Sequence, residues 1–411
     1  MLLLFSLLLL HVACSSSTAN DTYTLTLLDT VKYPLAKCLD GTPGAFYTSP
    51  GQDRSKWIIH LQGGAWCALP RDCAARALTP LGSSSAQYWP RSASCPPGGT
   101  GSPFVCSFDG GNGGLFSSNA TVNPLMSTWS KAYAVYCDGG SFSGAVAQPV
   151  AYSNQTLYYR GVHILDAIIA TLLTDFGAAS ATDFVLNGNS AGGLAVYLHA
   201  DRVAAQLRAA NPAMRVTALP DSGAFMDVES YYGNRNMLQI FQQTYSSHNA
   251  SVNAACLASK NASSAWMCFY AQYTLPHITT PLFVAQSFGD SWQMGPIMRL
   301  PCPLHECWTN ATLWALVQPY VTGFRQQMLQ ALQPVLDSSG PHGAFIAGCC
   351  EHGLAAYDGA WDLWAVGNQS MAQTFAAWYS RDAALPHSLV EGPWPVPWSL
   401  PNPTCKYYAT A

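Results

Sequence analysis

One serine of the sequence sits where it could act as a nucleophile. Gly188-Asn189-Ser190-Ala191-Gly192 is a G-x-S-x-G turn, with an apolar run at 183–187 before it and an Ala/Leu/Val-rich run at 194–207 after it. A sharp strand-to-helix turn of this kind lifts a serine hydroxyl above the sheet. It also sets that hydroxyl at a helix N-terminus, where partial positive charge favours an oxyanion. The glycines let strand and helix close on each other at the turn. A serine hydroxyl is a weak nucleophile at neutral pH and needs a base. Of the ten histidines, His60 falls inside a strand pattern, His199 inside the helix after the turn, and His11 in the apolar leader. His352 follows the last apolar strand and precedes Gly353, in a loop free to reach inward, and is the expected base. Asp290, after the strand pattern at 281–287, is the expected acid that orients it. Asp221, after the pattern at 215–219, is its rival for that role, and otherwise a turn residue or a substrate contact. Chain order favours Asp290.

An oxyanion requires backbone N–H donors. Ala191, the residue after the nucleophile, supplies one. Gly64 and Ala65, in the Gly63-Gly64-Ala65 turn that follows the strand pattern at 57–61, supply others. Trp66, Asp138, Ser141, Phe142 and Asp221 stand near these positions in the expected topology and are candidates for the substrate pocket.

The elements that must carry these residues alternate. Strand patterns occur at 23–28, 45–47, 57–61, 132–137, 183–187, 215–219, 281–287 and 345–347. Helical spacing occurs at 161–176, 194–207 and 312–336, with a mixed stretch at 227–280. Strands alternating with helices predict an α/β fold, a mainly parallel central sheet flanked by helices. In open α/β sheets the site lies at the carboxyl ends of the strands, where all the residues above fall. The order serine, acid, histidine is that of the α/β-hydrolases. Residues 81–118, rich in Ser, Gly, Pro and Cys, read as a long ordered loop over that face, pinned by cysteines. Residues 20–411 read as one domain.

Hydrophobic residues make up 49% of the 411 and charged residues only 10%, with a net charge of −4, against about a quarter charged in ordinary domains. No charge run suggests nucleic acid or an anionic membrane as partner. Residues 2–12 are an apolar run followed by small residues to Ala19, which fits a secretory signal at 1–19; acylation of Cys14 is the minor alternative. No later stretch reaches the roughly 20 apolar residues of a membrane span. Fourteen cysteines, thirteen once Cys14 leaves with the leader, read in an exported chain as disulfides: Cys67 with Cys73, Cys95 with Cys106, Cys256 with Cys268, and Cys38 with Cys137 across a longer loop. Cys302, Cys307, Cys349, Cys350 and Cys405 come late and are left unassigned, with one thiol of the thirteen expected to be free. With no C-x-x-C pair and no H-E-x-x-H, neither metal nor cofactor is expected. Sequons at Asn20, Asn119, Asn154, Asn249, Asn261, Asn310 and Asn368 predict N-glycans that solvate a weakly charged surface. The chain is expected to be monomeric.

The stretches Cys38-Leu39-Asp40-Gly41, 57–67 with Gln62-Gly63-Gly64-Ala65-Trp66-Cys67, Tyr136-Cys137-Asp138-Gly139-Gly140-Ser141-Phe142, Tyr159-Arg160-Gly161, Gly188–Gly193, Asp221-Ser222-Gly223-Ala224-Phe225 and Asp290-Ser291-Trp292-Gln293 resemble the pectin acetylesterase and Notum-type carboxylesterase family, the plant-type branch most of all. The resemblance implies an α/β-hydrolase-like fold, a Ser190-Asp290-His352 triad and a secreted serine carboxylesterase acting on acetylated pectin or a related cell-wall polysaccharide. Removal of a fatty acyl group from a protein is the alternative within the family. A catalytically inactive wall-binding glycoprotein is the alternative outside it. The sequence departs from plant members at Gln62 and Ala65, where they often have Glu and Gly. It also has Gly353 after the histidine where they usually have Cys, and a vicinal pair, Cys349-Cys350. These departures bear on substrate choice and late disulfide pairing.

Overall fold

The structure is a computed structural model and describes residues 21–95, 113–303, 306–307, 310–337, 340–357, 359–393 and 402–405. Its centre is a ten-stranded sheet. In chain order the strands are β1 (Asp21–Leu27), β2 (Ala45–Ser49), β3 (Asp53–Leu61), β4 (Ser92–Cys95), β5 (Trp129–Ala134), β6 (Asp183–Asn189), β7 (Arg215–Asp221), β8 (Phe283–Ser287), β9 (Gly343–Ala347) and β10 (Ser388–Val390). Their spatial order is β10-β9-β8-β7-β6-β3-β5-β2-β1-β4. Pairing is parallel from β5 to β10 and antiparallel across β5-β2-β1-β4.

Burial on both faces explains why the strands read as continuous apolar runs. Along β3, Trp57, Ile59 and Leu61 enter one core while Ile58 enters the other. Phe184 and Leu186 against Val185 in β6, and Ala344 and Ile346 against Phe345 in β9, alternate the same way. Each such buried Ile, Leu or Phe contributes about 1.5–3 kcal/mol relative to exposure. The first core is covered by α1 (Gly161–Asp175), α2 (Ala191–Ala210), α3 (Asn236–Ser247) and α4 (Ala311–Ala331); the second by α5 (Met371–Ser380), with Phe375 and Trp378, and by Trp361.

Two stretches differ from the sequence reading. Ser92–Cys95 is not part of a covering loop but the outermost strand of the sheet, antiparallel to β1. Its Ser-Ala-Ser-Cys run alternates exposed and buried, a strand signal too small in side-chain volume to register as hydrophobic. β5 ends at Ala134 rather than 137, so Tyr136, Cys137 and Asp138 belong to the loop that follows its carboxyl end.

Disulfides join Cys38–Cys137, Cys67–Cys73, Cys256–Cys268, Cys302–Cys307 and Cys349–Cys405, and Cys350 is a free thiol. Cys95 is also disulfide-bonded; its expected partner Cys106 lies outside the described residues. Asn119, Asn154, Asn249, Asn261, Asn310 and Asn368 are all exposed, and Asn20 lies outside the described residues. Among the described residues no helix is long and apolar enough to cross a membrane.

Candidate active site

The turn at Ser190 is closed by backbone contact. A Cβ on Gly192 would lie 1.9 Å from the Leu61 carbonyl oxygen, and one on Gly188 would lie 2.3 Å from the Gly192 carbonyl oxygen. Only hydrogen fits where β3, β6 and α2 meet. Ser190 itself takes φ 57° and ψ −122°, a strained backbone that the packed glycines and two hydrogen bonds hold. Its N–H donates to the Asp221 carbonyl at 2.9 Å, and its own carbonyl accepts from Leu194 N–H at 2.8 Å. The serine caps a 20-residue helix, so the first-turn amides face the space above it.

Asp290 lies three residues past β8 and is 1% exposed. Its Oδ1 accepts from Trp292 N–H and Gln293 N–H, both at 3.0 Å, capping a short helical turn. Its Oδ2 accepts from the side-chain amides of Gln286 at 3.1 Å and Gln293 at 3.2 Å. Nδ1 of His352 stands 2.9 and 3.0 Å from the two carboxylate oxygens. An ionised carboxylate only accepts, so Nδ1 is the protonated nitrogen and the lone pair of the neutral ring is on Nε2.

The loop that carries His352 is fastened by Asp221. That buried carboxylate accepts from Leu354 N–H at 2.9 and 3.0 Å, Ala355 N–H at 2.8 Å and the Ser222 hydroxyl at 3.0 Å. The Ser222 hydroxyl in turn accepts from Gly353 N–H at 2.9 Å. Burial raises the Asp221 carboxyl above its ordinary range, opposed by these donors and by His352. Gly353 has φ +91°, and a Cβ there would lie 2.4 Å from Asn189 Nδ2. The residue after His352 therefore presses on the residue before Ser190, which brings the histidine loop onto the elbow.

On the opposite side the chain leaves β3 through Gln62 into a turn with Gly64 at φ 138° and Ala65 at φ 56°. Gln62 Oε1 accepts from Tyr136 N–H at 2.8 Å. The Tyr136 hydroxyl donates to the Ala65 carbonyl at 2.7 Å and accepts from Ser141 N–H at 3.0 Å. The Cys67–Cys73 disulfide closes the turn, and the buried His248 bonds the Cys67 carbonyl through Nε2 at 2.9 Å. Two sulfurs and one imidazole come together there, but the sulfurs are bonded to each other and offer no thiolate.

Four aromatic rings pack together between these two sides, with Phe225 and Phe241 fully buried behind the part-exposed Trp66 and Trp292. Trp66 meets Phe225 and Phe241, each at 4.8 Å between ring centroids, and Trp292 at 5.8 Å. Phe225 and Trp292 lie 6.1 and 6.0 Å from the His352 ring, and Trp292 is stacked on it. The cluster is apolar and reaches the imidazole.

The family profile described as Pectinacetylesterase matches residues 16–96 and 100–406. The chain belongs to the pectinacetylesterase family. It is 30% identical over 401 residues to pectin acetylesterase 5 of Arabidopsis thaliana, covering 94% of this chain and 85% of that one. It is 29% identical over 390 residues to pectin acetylesterase 7 of the same plant, covering 91% and 90%. A human relative named palmitoleoyl-protein carboxylesterase NOTUM is 28% identical over 290 residues, covering 68% of this chain and 53% of that one.

Within this pectinacetylesterase chain Ser190, His352, Asp290, Gly64, Ala65, Ala191 and Trp66 all follow the carboxyl ends of the parallel strands. The remaining pocket candidates sit deeper. Asp221 underlies the histidine loop rather than lining the pocket. Asp138 is fully buried, accepts from Phe142 N–H at 3.1 Å, and is raised to about 6 by that burial. Ser141 is fully buried and accepts from the Trp66 indole N–H at 2.7 Å, so it fixes Trp66. Phe142 is buried against Tyr136. Sequence reasoning assigned no role to Gln286, Gln293, Phe225, Phe241 or Trp292. Only the spacing of Asp290 and Gln293, an acid followed three residues on by Gln as at a helix start, carried a local signal.

Proposed function

We propose that this chain is a secreted serine carboxylesterase that removes acetyl groups from pectin or a related cell-wall polysaccharide. The observation that carries the proposal is the 2.9 Å Asp290–His352 pair, held by its loop against a strained serine elbow. Ser190 Oγ attacks the ester carbonyl while His352 Nε2 takes its proton, and Asp290 stabilises the imidazolium. The tetrahedral oxyanion is met by the amides of Gly64, Ala65 and Ala191. His352 then protonates the leaving sugar hydroxyl, and water, activated by the same histidine, releases acetate.

Family membership and the names of the plant relatives support an ester substrate of this kind. The packing of Trp292 on His352 and of Trp66 on Phe225 and Phe241 supports an apolar surface for the acyl group beside the imidazole. The apolar leader, the disulfides and six exposed sequon asparagines support export and N-glycosylation. The relative named for palmitoleoyl-protein hydrolysis favours a second reading, cleavage of a long acyl chain from a protein.

The test is hydrolysis of aryl acetate, hexanoate and decanoate by wild type and Ser190→Ala, with acetate release from acetylated pectin and acetylated xylan alongside. Equal rates for the two proteins would sink the serine-esterase reading. A preference for decanoate would replace the acetyl reading with the long-chain one.

A further inference from the structure

We infer that Gln286 and Gln293 are positioning residues that lock the catalytic acid and the buried Phe225 segment behind Trp66 and Trp292 into one unit, so that acid alignment and acyl-chain preference change together. The inference rests on the Ser190–His352–Asp290 reading above.

Both side chains are 0% exposed. Gln286 Nε2 donates to Asp290 Oδ2 at 3.1 Å and to the Ser287 carbonyl at 3.3 Å, while its Oε1 accepts from Ala224 N–H at 3.1 Å. Gln293 Nε2 donates to Asp290 Oδ2 at 3.2 Å and to the Ala224 carbonyl at 3.2 Å, while its Oε1 accepts from Met226 N–H at 3.2 Å. Every donor of both amides is used. The orientation of each is also fixed by its partners. Turning either amide over would set its oxygen against the carboxylate and its NH2 against a backbone N–H.

The backbone held at the other end of both amides is residues 224–226. Between the two bonded N–H groups lies Phe225, whose ring touches Trp66 at 4.8 Å, Trp292 at 5.1 Å and His352 at 6.1 Å. One pair of glutamines therefore grips Asp290 with its nitrogens and the Phe225 segment with its oxygens. A glutamate could make both contacts only while protonated, and an apolar side chain could make neither. The other ionisable groups acting on Asp290 and His352 are Glu351, Asp221 and the Cys350 thiol. None of these touches the amides.

The test compares Gln286→Glu, Gln293→Glu and Gln293→Met with wild type. The readouts are kcat/KM for aryl acetate and aryl hexanoate across pH, the His352 ring pKa by NMR, and the thermal midpoint. The glutamate variants are expected to add a falling limb on the alkaline side, where the new carboxyl ionises against Asp290. Their His352 pKa should rise by about 1 unit from the added negative charge. The methionine variant is expected to lose about tenfold in kcat/KM at every pH, on the scale of a lost charged hydrogen bond, without the new limb. Its His352 pKa should also rise, because a carboxylate with fewer donors holds the imidazolium more strongly. In all three the acetate-to-hexanoate ratio should change at least threefold. Variants that lose stability yet keep the wild-type pH profile, His352 pKa and acyl ratio would overturn the inference. Should a glutamate variant not fold, the methionine variant decides through the ratio and the His352 pKa. Failure of the esterase reading would show separately, as equal rates for wild type and Ser190→Ala, and the His352 titration would still test the clamp.

Discussion

Replacing Asp221 by asparagine separates two carboxylates that end neighbouring strands. In the structure Asp221 accepts from Leu354 N–H, Ala355 N–H and the Ser222 hydroxyl, whereas Asp290 faces Nδ1 of His352 directly. Asparagine keeps one oxygen, which can still face the two backbone donors, and its NH2 can donate to the Ser222 hydroxyl. The loss is the charged character of two hydrogen bonds, roughly 1 kcal/mol each. Asp221→Asn is therefore expected to cost about 2 kcal/mol in denaturant unfolding. Relief of the burial cost of the carboxylate, which holds its pKa up, works against that loss. With His352 still paired to Asp290, kcat/KM for an aryl acetate should fall by no more than about tenfold at temperatures where the variant is folded. Asp290→Asn should instead cost on the order of a thousand- to ten-thousand-fold in kcat, because an amide no longer holds the imidazole in the working tautomer. The assay is steady-state hydrolysis beside equilibrium unfolding, both on the same preparations. A thousandfold loss of kcat in Asp221→Asn with unchanged stability would refute the reasoning and make Asp221 the orienting acid.

Acid should destabilise the fold well before the exposed carboxylates titrate. His60, His199 and His248 are buried, and desolvation lowers each to about 4 from an ordinary 6.5. Their stability contribution is complete above pH 6.5 and lost as pH falls through about 4, on the order of 3 kcal/mol each. Asp138, raised to about 6, has the opposite sign: its contribution is present below the ordinary carboxylate pKa and is lost as pH rises through about 6. Burial also raises Asp221, Glu351 and Glu391, which share the sign of Asp138, and lowers His163 and His342, which share that of the other histidines. Among the described residues five lowered imidazoles against four raised carboxyls predict a thermal midpoint that drops between pH 6.5 and 4, with a shallower drop in His60→Gln; an identical profile in that variant would contradict the buried neutral state. Gly64→Ala forces a side chain onto φ 138°, where its Cβ would meet Leu81 at 2.7 Å. It should lower kcat about a hundredfold with a smaller change in KM, as loss of an oxyanion donor does; unchanged kcat would remove Gly64 from that role.

What the sequence made legible is what local chemistry decides. The elbow needs only a strand, three small residues around a serine and a helix, and all of these are contiguous. The parallel sheet followed from the alternation of elements. What was not legible depends on which distant segments meet. Trp66, Phe225, Phe241 and Trp292 form one cluster beside His352 although they come from positions 66 to 292 of the chain, and nothing in their local patterns shows that they meet there. Gln286 and Gln293 look like ordinary polar residues until residues 224–226 are packed beside them. The choice between Asp221 and Asp290 shows the boundary most clearly. Both follow an apolar strand, both are buried, and the sequence could rank them only by chain order. The structure distinguishes them by where their lone pairs go. Asp221 directs its lone pairs to the backbone of the loop that bears the histidine, and Asp290 directs its own to the ring of that histidine. The donors to Asp221 are the Leu354 and Ala355 amides, the Ser222 hydroxyl and the Asn189 side-chain amide, a set that holds a loop rather than a ring. Asp290, with side-chain amides on one oxygen and a helical turn on the other, is held rigid and still presents an edge to Nδ1. That difference in hydrogen-bond direction, more than burial or position along the chain, is the physical basis for assigning the two acids different work.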